Sequence, residues 1–318
     1  MTEMTVLVGY SPDDRGVDAL ALAALVVRTL VVRTLDARLV VANVHPPPWP
    51  ARGPGSVDAE WVGYLRSESR AALDEAVDRL AEVGVPESAV TTRVHANRGS
   101  GRGLIEVAGE VGADLVVVGS APRGHRGRIA IGSTADQLLH GSPVPVLLAP
   151  RGYADAAPDR FERMTIAYWR RPDVDGPLSA AAEFAGALGV PLRLLTLVTR
   201  PPGLAARFAE AGGALDRQVA QADEDLRDAA GRFGGGPPVE RLTAVGTGLT
   251  TTLGTVDMLP GEILACLSGH DGPLRKVFLG EGSGKIVRAA PCPVLLLPRG
   301  AVPRAARGPR DSRDASAT

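Results

Sequence analysis

Between Asp114 and Pro150 the chain reads D-L-V-V-V-G-S-A-P-R-G-H-R-G-R-I-A-I-G-S-T-A-D-Q-L-L-H-G-S-P-V-P-V-L-L-A-P. The residues suited to chemistry here are small, hydroxylic and basic: Gly119, Gly124, Gly127 and Gly132; Ser133 and Thr134; Arg123, Arg126 and Arg128. Glycines let a ligand approach the main chain, and a helix N-terminus presents unpaired N–H groups to an anion. Gly132, Ser133 and Thr134 lead into a short helix expected over Ala135 to His140, so their hydroxyls and amides fall at its mouth. That combination is the chemistry of a phosphate seat.

Two apolar strands must hold this loop: Leu115 to Val118, ended by Gly119, and Val144 to Leu148, closed between prolines. Runs this short and this apolar read as strands buried on both faces. Further strands are expected at Thr5 to Val8, Arg38 to Val44 and Ala89 to Val94. Helices fall between them, from Gly16 to about Leu35, from Asp58 with Trp61, Leu65, Leu73, Val77 and Leu80 inward, and from Gly101 to Val111 with Leu104, Ile105 and Ala108 inward. Asp13 and Asp14 sit where carboxylates favour a helix N-terminus. Strands alternating with helices predict an α/β fold with a parallel, doubly wound sheet. Gly9-Tyr10-Ser11-Pro12 turns the first strand into the first helix.

Within that first helix, Val26-Val27-Arg28-Thr29-Leu30 is repeated at once as Val31-Val32-Arg33-Thr34-Leu35. Five residues rotate a helix by about 500°, roughly 140° past a full turn. The second copy therefore cannot present the face of the first, and an extended end or a bulge is expected.

Tyr153 to Arg160 lacks periodicity and reads as a linker, after which the pattern restarts. Strands are expected at Met164 to Trp169, Leu192 to Val198, Val239 to Val245 and Glu262 to Leu267. The helices between them run from Gly176 to Leu188, Ala205 to Phe233 and Leu249 to Val256. The segment S-P-V-P-V-L-L-A-P-R-G of the first half recurs as A-P-C-P-V-L-L-L-P-R-G in the second. An internal repeat of this kind means two copies of one unit.

With the repeat in view, the loop resembles that of the universal stress protein family, in the tandem two-module form found in actinobacteria. ATP-binding members carry G-x2-G-x9-G-[ST] after the fourth strand; Gly119 takes the first place, Gly132 with Ser133 the last pair, and Pro122 stands at the middle glycine. The resemblance implies two tandem five-stranded parallel sheets of the adenine nucleotide α-hydrolase type, each in the order 3-2-1-4-5. Ligand would sit at the switch between strands one and four. It divides the chain into residues 1–151, a linker at 152–161, a second module at 162–299 and a disordered tail at 300–318. It implies ATP, with Mg2+ accompanying it, in the first module: Val44 against adenine, Val118 and Gly119 along the ribose and phosphate path, and Gly132, Ser133 and Thr134 at the outer phosphates. Where those members have an aspartate in a D-G-S-like turn, this chain has Gly9, then Tyr10 and Ser11; Tyr10 could offer a stacking face instead. Loops Ser120 to Ile131 and His45 to Val57 are the mobile elements a ligand would bias.

In the second module, alignment puts Glu281 at Ser133, His270 at Pro122 and Leu267 at Gly119, a degenerate motif in which a carboxylate repels phosphate. Its role would be structural. Family modules pair through their last strands, here Pro293 to Leu297, so the chain could satisfy that pairing within itself or as a homodimer.

Bulk properties narrow the classes. A formal net charge of −1 gives no general pull toward nucleic acid or an anionic membrane. The arginine cluster lacks aromatic stacking partners for single strands. No apolar run is long enough to span a bilayer and the N-terminus lacks a signal pattern, so a cytoplasmic protein is expected. Cys266 and Cys292 read as buried free thiols. The five histidines are dispersed without metal-ligand spacing. Asp114 and Asp136 read as cap and surface residues. Binding without turnover is the expectation, either of nucleotide or, in the alternative, of an unidentified protein partner by a nucleotide-free scaffold.

Overall fold

The computed structural model describes residues 3–33, 35–47, 57–200, 213–233, 239–267 and 281–298. Part of the loop expected from His45 to Val57, the beginning of the helix expected from Ala205, the segment with His270 and the tail from 300 lie outside these residues. So do Thr34, in the repeated pentapeptide, and the side chain of Glu281.

In the first half, strands β1 (Met4–Gly9), β2 (Ala37–His45), β3 (Val90–Ala96), β4 (Leu115–Gly119) and β5 (Val146–Ala149) alternate with helices α1 (Asp14–Val32), α2 (Val57–Glu82), α3 (Ser100–Val111) and α4 (Ser133–Gly141). The second half repeats the pattern: β6 (Arg163–Ala167), α5 (Asp175–Leu188), β7 (Leu192–Thr199), α6 (Ala214–Gly231), β8 (Glu240–Gly246), α7 (Leu249–Gly254), β9 (Glu262–Leu267), α8 (Glu281–Ala289) and β10 (Val294–Leu297).

Each half has the strand order 3-2-1-4-5, and the halves are not two separate sheets. They join into one ten-stranded sheet, β3-β2-β1-β4-β5-β10-β9-β6-β7-β8. Pairing is parallel within each half, while β5 and β10 run antiparallel, with Val294 opposite Leu148 and Leu296 opposite Val146. The near-duplicate P-V-P-V-L-L segments thus meet each other across a local two-fold, and each hides the edge the other would expose.

Side-chain alternation then builds one core on each face. Leu147, Ala149, Leu295 and Leu297 face α1, α2, α5 and α6, whereas Val146, Leu148, Val294 and Leu296 face α3, α4, α7 and α8. Both cores run through both halves.

Local chemistry sets the helix ends. Asp13 caps α1, its carboxylate accepting the Arg15 and Gly16 N–H groups. Gly112 closes α3 and Gly189 closes α5 in the left-handed conformation (φ 64° and 71°), where a side chain is disfavoured. The pentapeptide repeat makes neither bulge nor extended end within α1, which stays helical to Val32. The rotation argument holds: Val26 and Val27 are buried, while Val31 and Val32 are 51% and 82% exposed. Helix propagation simply costs less than breaking the turn, and the second copy's valines face water.

Trp61 also departs from expectation. It is exposed and stacks on Tyr64 with ring centroids 5.6 Å apart, because the buried side chains of α2 begin only at Ser69. The stretch read as a linker contains a 3-10 turn, Ala154–Ala156, and Tyr153 beside it is buried. Asp18, itself buried in α1, accepts N–H bonds from Gly152 (2.8 Å) and Ala154 (2.9 Å) and pins this stretch to the first half.

Candidate functional site

β1 and β4 are neighbours, yet β1 feeds α1 on one face and β4 feeds the loop to α4 on the other. The crevice opens between their C-terminal ends. A cleft of about 140 Å³ lies there, bordered by Gly9, Tyr10, Ser11, Val44, Val118, Gly119, Gly132, Ser133 and Thr134. The sequence had singled out all nine of these residues. The tenth, Pro122, does not border the cleft. It sits in a turn closed by the Gly124 N–H to the Ala121 carbonyl at 3.3 Å, and Ala121 takes its place beside the cleft.

Gly132 caps α4 with its backbone alone, and no side chain accepts from the first turn. The first helical bond goes from the Asp136 N–H to the Gly132 carbonyl at 2.8 Å. The amides of Ser133, Thr134 and Ala135 therefore have no acceptor within the helix, and their residues border the cleft. Unpaired amides at a helix N-terminus are the kind of donors an anion accepts. A Cβ added at Gly132 would meet the Ala121 methyl at 3.0 Å.

Gly119 has a different reason to be glycine. A Cβ there would lie 2.1 Å from the Arg15 carbonyl oxygen, so the first turn of α1 presses directly on the end of β4. Gly16 is excluded from bearing a side chain in the same way, its Cβ falling 1.9 Å from the Ser11 carbonyl oxygen. Both glycines bring α1 against the strand ends and give the cleft its wall.

Tyr10 borders the cleft, but its ring lies in the core beneath α1 and α2 and is 3% exposed. The expected stacking face is absent, because side chains alternate along β1 and residue 10 falls on the α1 side. Burial pushes its hydroxyl pKa up, and Glu75 adds to the rise.

The basic loop is also placed otherwise than expected. The Ala121 N–H bonds the Ala130 carbonyl, Ala130 N–H bonds Ser120 Oγ, and Gly127 N–H bonds the Arg151 carbonyl, each at 2.8 Å. The loop from Ser120 is thereby stitched to itself and to the chain after β5. Arg126 pairs with Asp155, and none of Arg123, Arg126 and Arg128 borders the cleft.

Among the described residues the cation that borders it is Arg15, which sequence reasoning missed. Its Nε donates to Asp13 Oδ2 at 3.0 Å and its terminal nitrogen pairs with the same oxygen. Burial alone would raise the Asp13 pKa, but donors from Arg15, Gly16 and Ser11 hold it below the usual carboxylate range. Asn43 was missed as well; its Nδ2 donates to the Tyr10 carbonyl at 3.0 Å and fixes the turn against β2. An amide inside the apolar run V-V-A-N-V was the available signal. Ser100 and Leu104 of α3 complete the far wall.

Several titratable side chains away from the cleft are engaged in local contacts. His95 pairs with Glu106 at 2.7 Å, His140 with Asp136 at 3.4 Å, and Asp114 accepts the Thr5 N–H at 3.0 Å. Cys266 and Cys292 are buried free thiols, and burial pushes Cys266 up to about 12. Among the described residues there is no cluster of metal-ligating side chains and no helix long and apolar enough to cross a membrane.

In the second half, Leu267 at the end of β9 is buried, and its carbonyl accepts Ser283 Oγ at 3.3 Å.

The sequence model of the universal stress protein family matches residues 4–150 and again 162–298. A universal stress protein from Mycobacterium tuberculosis is 36% identical over 305 residues, 93% of this chain and 100% of its own length. Mycobacteria are actinobacteria, as the tandem form suggested. Among solved structures, a putative universal stress protein from Pseudomonas aeruginosa aligns with TM-score 0.56 at 16% identity, covering 92% of both chains. One from Archaeoglobus fulgidus aligns with TM-score 0.55 at 15% identity, covering 93% of this chain and 96% of its own. The doubled match and the mycobacterial relative make this chain a member of the universal stress protein family, with two modules in tandem.

Proposed function

We propose that the first module binds an adenine nucleotide, ATP or a close relative, and that occupancy rather than turnover is its output. The observation that carries this reading is the uncapped start of α4, whose Ser133 and Thr134 open into a cleft at the β1/β4 switch. The seat supplies amides and hydroxyls for phosphate, Val44 and Leu104 supply apolar wall for a base, and Arg15 supplies charge. Mg2+ would arrive with the triphosphate, since magnesium is commonly held by phosphates with few protein ligands. With one arginine already paired to Asp13, the cleft offers less positive charge than a triphosphate carries, which favours modest affinity.

Titration calorimetry of the whole chain with ATP, with and without Mg2+, tests this. Gly132→Val should weaken binding by roughly tenfold or more, because one lost contact of about 1.4 kcal/mol is a factor of ten. Equal heats for both proteins, or no heat for either, would sink the proposal.

A second reading rests on the joined sheet. The antiparallel β5–β10 pairing and the two continuous cores make the second module a structural half of one body. A scaffold for a protein partner needs no nucleotide, and would bind that partner equally well with and without ATP. The working location for either reading is the cytoplasm.

A further inference from the structure

The repeated pentapeptide has a use that the first module's core does not explain. α1 runs for 19 residues against 14 for α5, and the excess of five equals one copy of Val-Val-Arg-Thr-Leu. Five residues lengthen a helix by about 7.5 Å. The added turn buries little of itself in the first module, since Val31 and Val32 face water.

Its end lies against the second module instead. Arg28, Val32 and Arg33 border one groove with Leu188, Gly189 and Val190, where α5 finishes. Arg33 Nη2 donates to the Gly186 carbonyl at 3.4 Å, and the same carbonyl accepts the Gly189 N–H at 3.1 Å. A Cβ built on Gly189 would collide with the Arg33 guanidinium. Gly189 therefore suits its place twice, by its left-handed φ of 71° and by leaving room for the arginine. A cation at a helix C-terminus meets unpaired carbonyls and the negative end of the dipole. The first module closes α3 in the same manner from within: Arg38 Nη2 reaches the Val111 carbonyl at 3.4 Å, and Gly112 behind it is left-handed. For α5 the arginine comes from the other module. We infer that the second pentapeptide copy is an intramolecular clasp, which lengthens α1 so that Arg33 crosses the module boundary and caps α5. The first turn of α1 already rests on Gly119 beside the cleft. One helix then reaches from the cleft wall to the second module.

Native-state hydrogen exchange of the full chain reads the clasp at the Gly189 and Val190 amides, which bond the Gly186 and Ala185 carbonyls at 3.1 and 3.0 Å. In Arg33→Ala both should exchange roughly two- to fivefold faster, as expected for the loss of one cation at a helix C-terminus. The Gly112 and Ala113 amides at the end of α3 should keep their rates. Arg33→Lys should restore part of the protection. In about 1 M salt, where the Debye length falls to roughly 3 Å, the gap between wild type and Arg33→Ala should nearly close. A double-mutant cycle in urea separates the clasp from backbone strain at position 189, because Gly189→Ala carries that strain in either background but displaces a guanidinium only when Arg33 is present. Arg33→Ala should lower the folding constant roughly two- to fivefold in wild type and hardly at all in Gly189→Ala. Unchanged exchange at Gly189 and Val190, an equal gain at the end of α3, or strictly additive effects in the cycle would each overturn the inference. Should Gly189→Ala fail to fold, the exchange comparison decides alone.

Discussion

Asp18 offers the sharpest test of how the first module is braced behind its cleft. It is 3% exposed in α1, and both carboxylate oxygens accept backbone N–H groups of the segment after β5, Gly152 at 2.8 Å and Ala154 at 2.9 Å. That segment in turn holds the loop beside the cleft, through Gly127 N–H to the Arg151 carbonyl and Arg151 N–H to the Arg128 carbonyl. Two opposing effects act when the carboxylate is removed. Hydrogen bonds to a charged acceptor contribute about 1.5–3 kcal/mol each, and orphaned buried donors cost about 1–3. Against this, desolvation raises the Asp18 pKa, with Asp155 and Asp14 adding to the rise and the two amides opposing it. Burial therefore disfavours the ionised form of Asp18. Gly152 and Ala154 are half-buried, so the lower ends of the ranges apply. Asp18→Ala should then cost about 2 kcal/mol, lowering Tm by roughly 4 °C for a body of this size. Asp18→Asn keeps one acceptor and should cost about half as much. The pH dependence has a definite sign. A carboxyl whose folded pKa is raised penalises the fold above that pKa and is relieved as pH falls through it. The gap between wild type and Asp18→Ala should widen from pH 7 toward the ordinary carboxylate range. Calorimetric melts at several pH values measure both quantities. A variant as stable as wild type at pH 7, or a gap that narrows on acidification, would refute the reasoning.

Two further outcomes are expected. Asp13→Asn keeps a good cap on α1 while removing the charge that occupies Arg15. ATP affinity should rise several-fold by calorimetry, and an unchanged or lower affinity would mean that Arg15 does not meet phosphate. Glu262 is fully buried and accepts from Arg193 (2.7 Å), Arg163 (2.8 Å), the Leu259 N–H (2.8 Å) and the Thr165 hydroxyl. Burial already lowers the Arg193 pKa, so Glu262→Ala leaves a poorly solvated cation and should cost about 3–5 kcal/mol. A loss under about 1 kcal/mol in denaturant unfolding would show that the network is readily replaced by water.

The fold was legible because its signals are redundant. Short apolar runs, glycine closures and the P-V-P-V-L-L repeat all point to one alternating pattern, and agreement among levels is what makes a sequence readable. The joined sheet follows from the same repeat, because a terminal strand with a near-identical copy has a ready partner. The cleft's wall was legible as small residues, but its charge was not. Arginines in a glycine-rich loop look like phosphate ligands from composition alone. Only the bonds from Ala121, Ala130 and Gly127 show the loop stitched to itself and to the chain after β5, and the last of them depends on residue 151, distant in sequence. Tyr10 failed for a simpler reason: its side depends on strand register, which a turn motif does not report.

Gly119 and Leu267 stand at matching strand ends but differ in what packs against them. In the first module only four residues, 10–13, connect β1 to α1, so the first turn of α1 rests on the end of β4 and leaves no room for a Cβ at Gly119. In the second module seven residues, 168–174, connect β6 to α5. The longer connection lets the helix begin farther away, and Leu267 fills the vacated space within the core on that face. The glycine is thus a consequence of a short connection, whatever binds beside it. A motif scan that scores Gly119 for nucleotide is in part scoring the length of the preceding β1–α1 turn. The feature on which the proposed nucleotide site rests is the uncapped α4 terminus with Ser133 and Thr134. A leucine at position 119 should therefore disturb stability before affinity, whereas Gly132→Val should disturb affinity first.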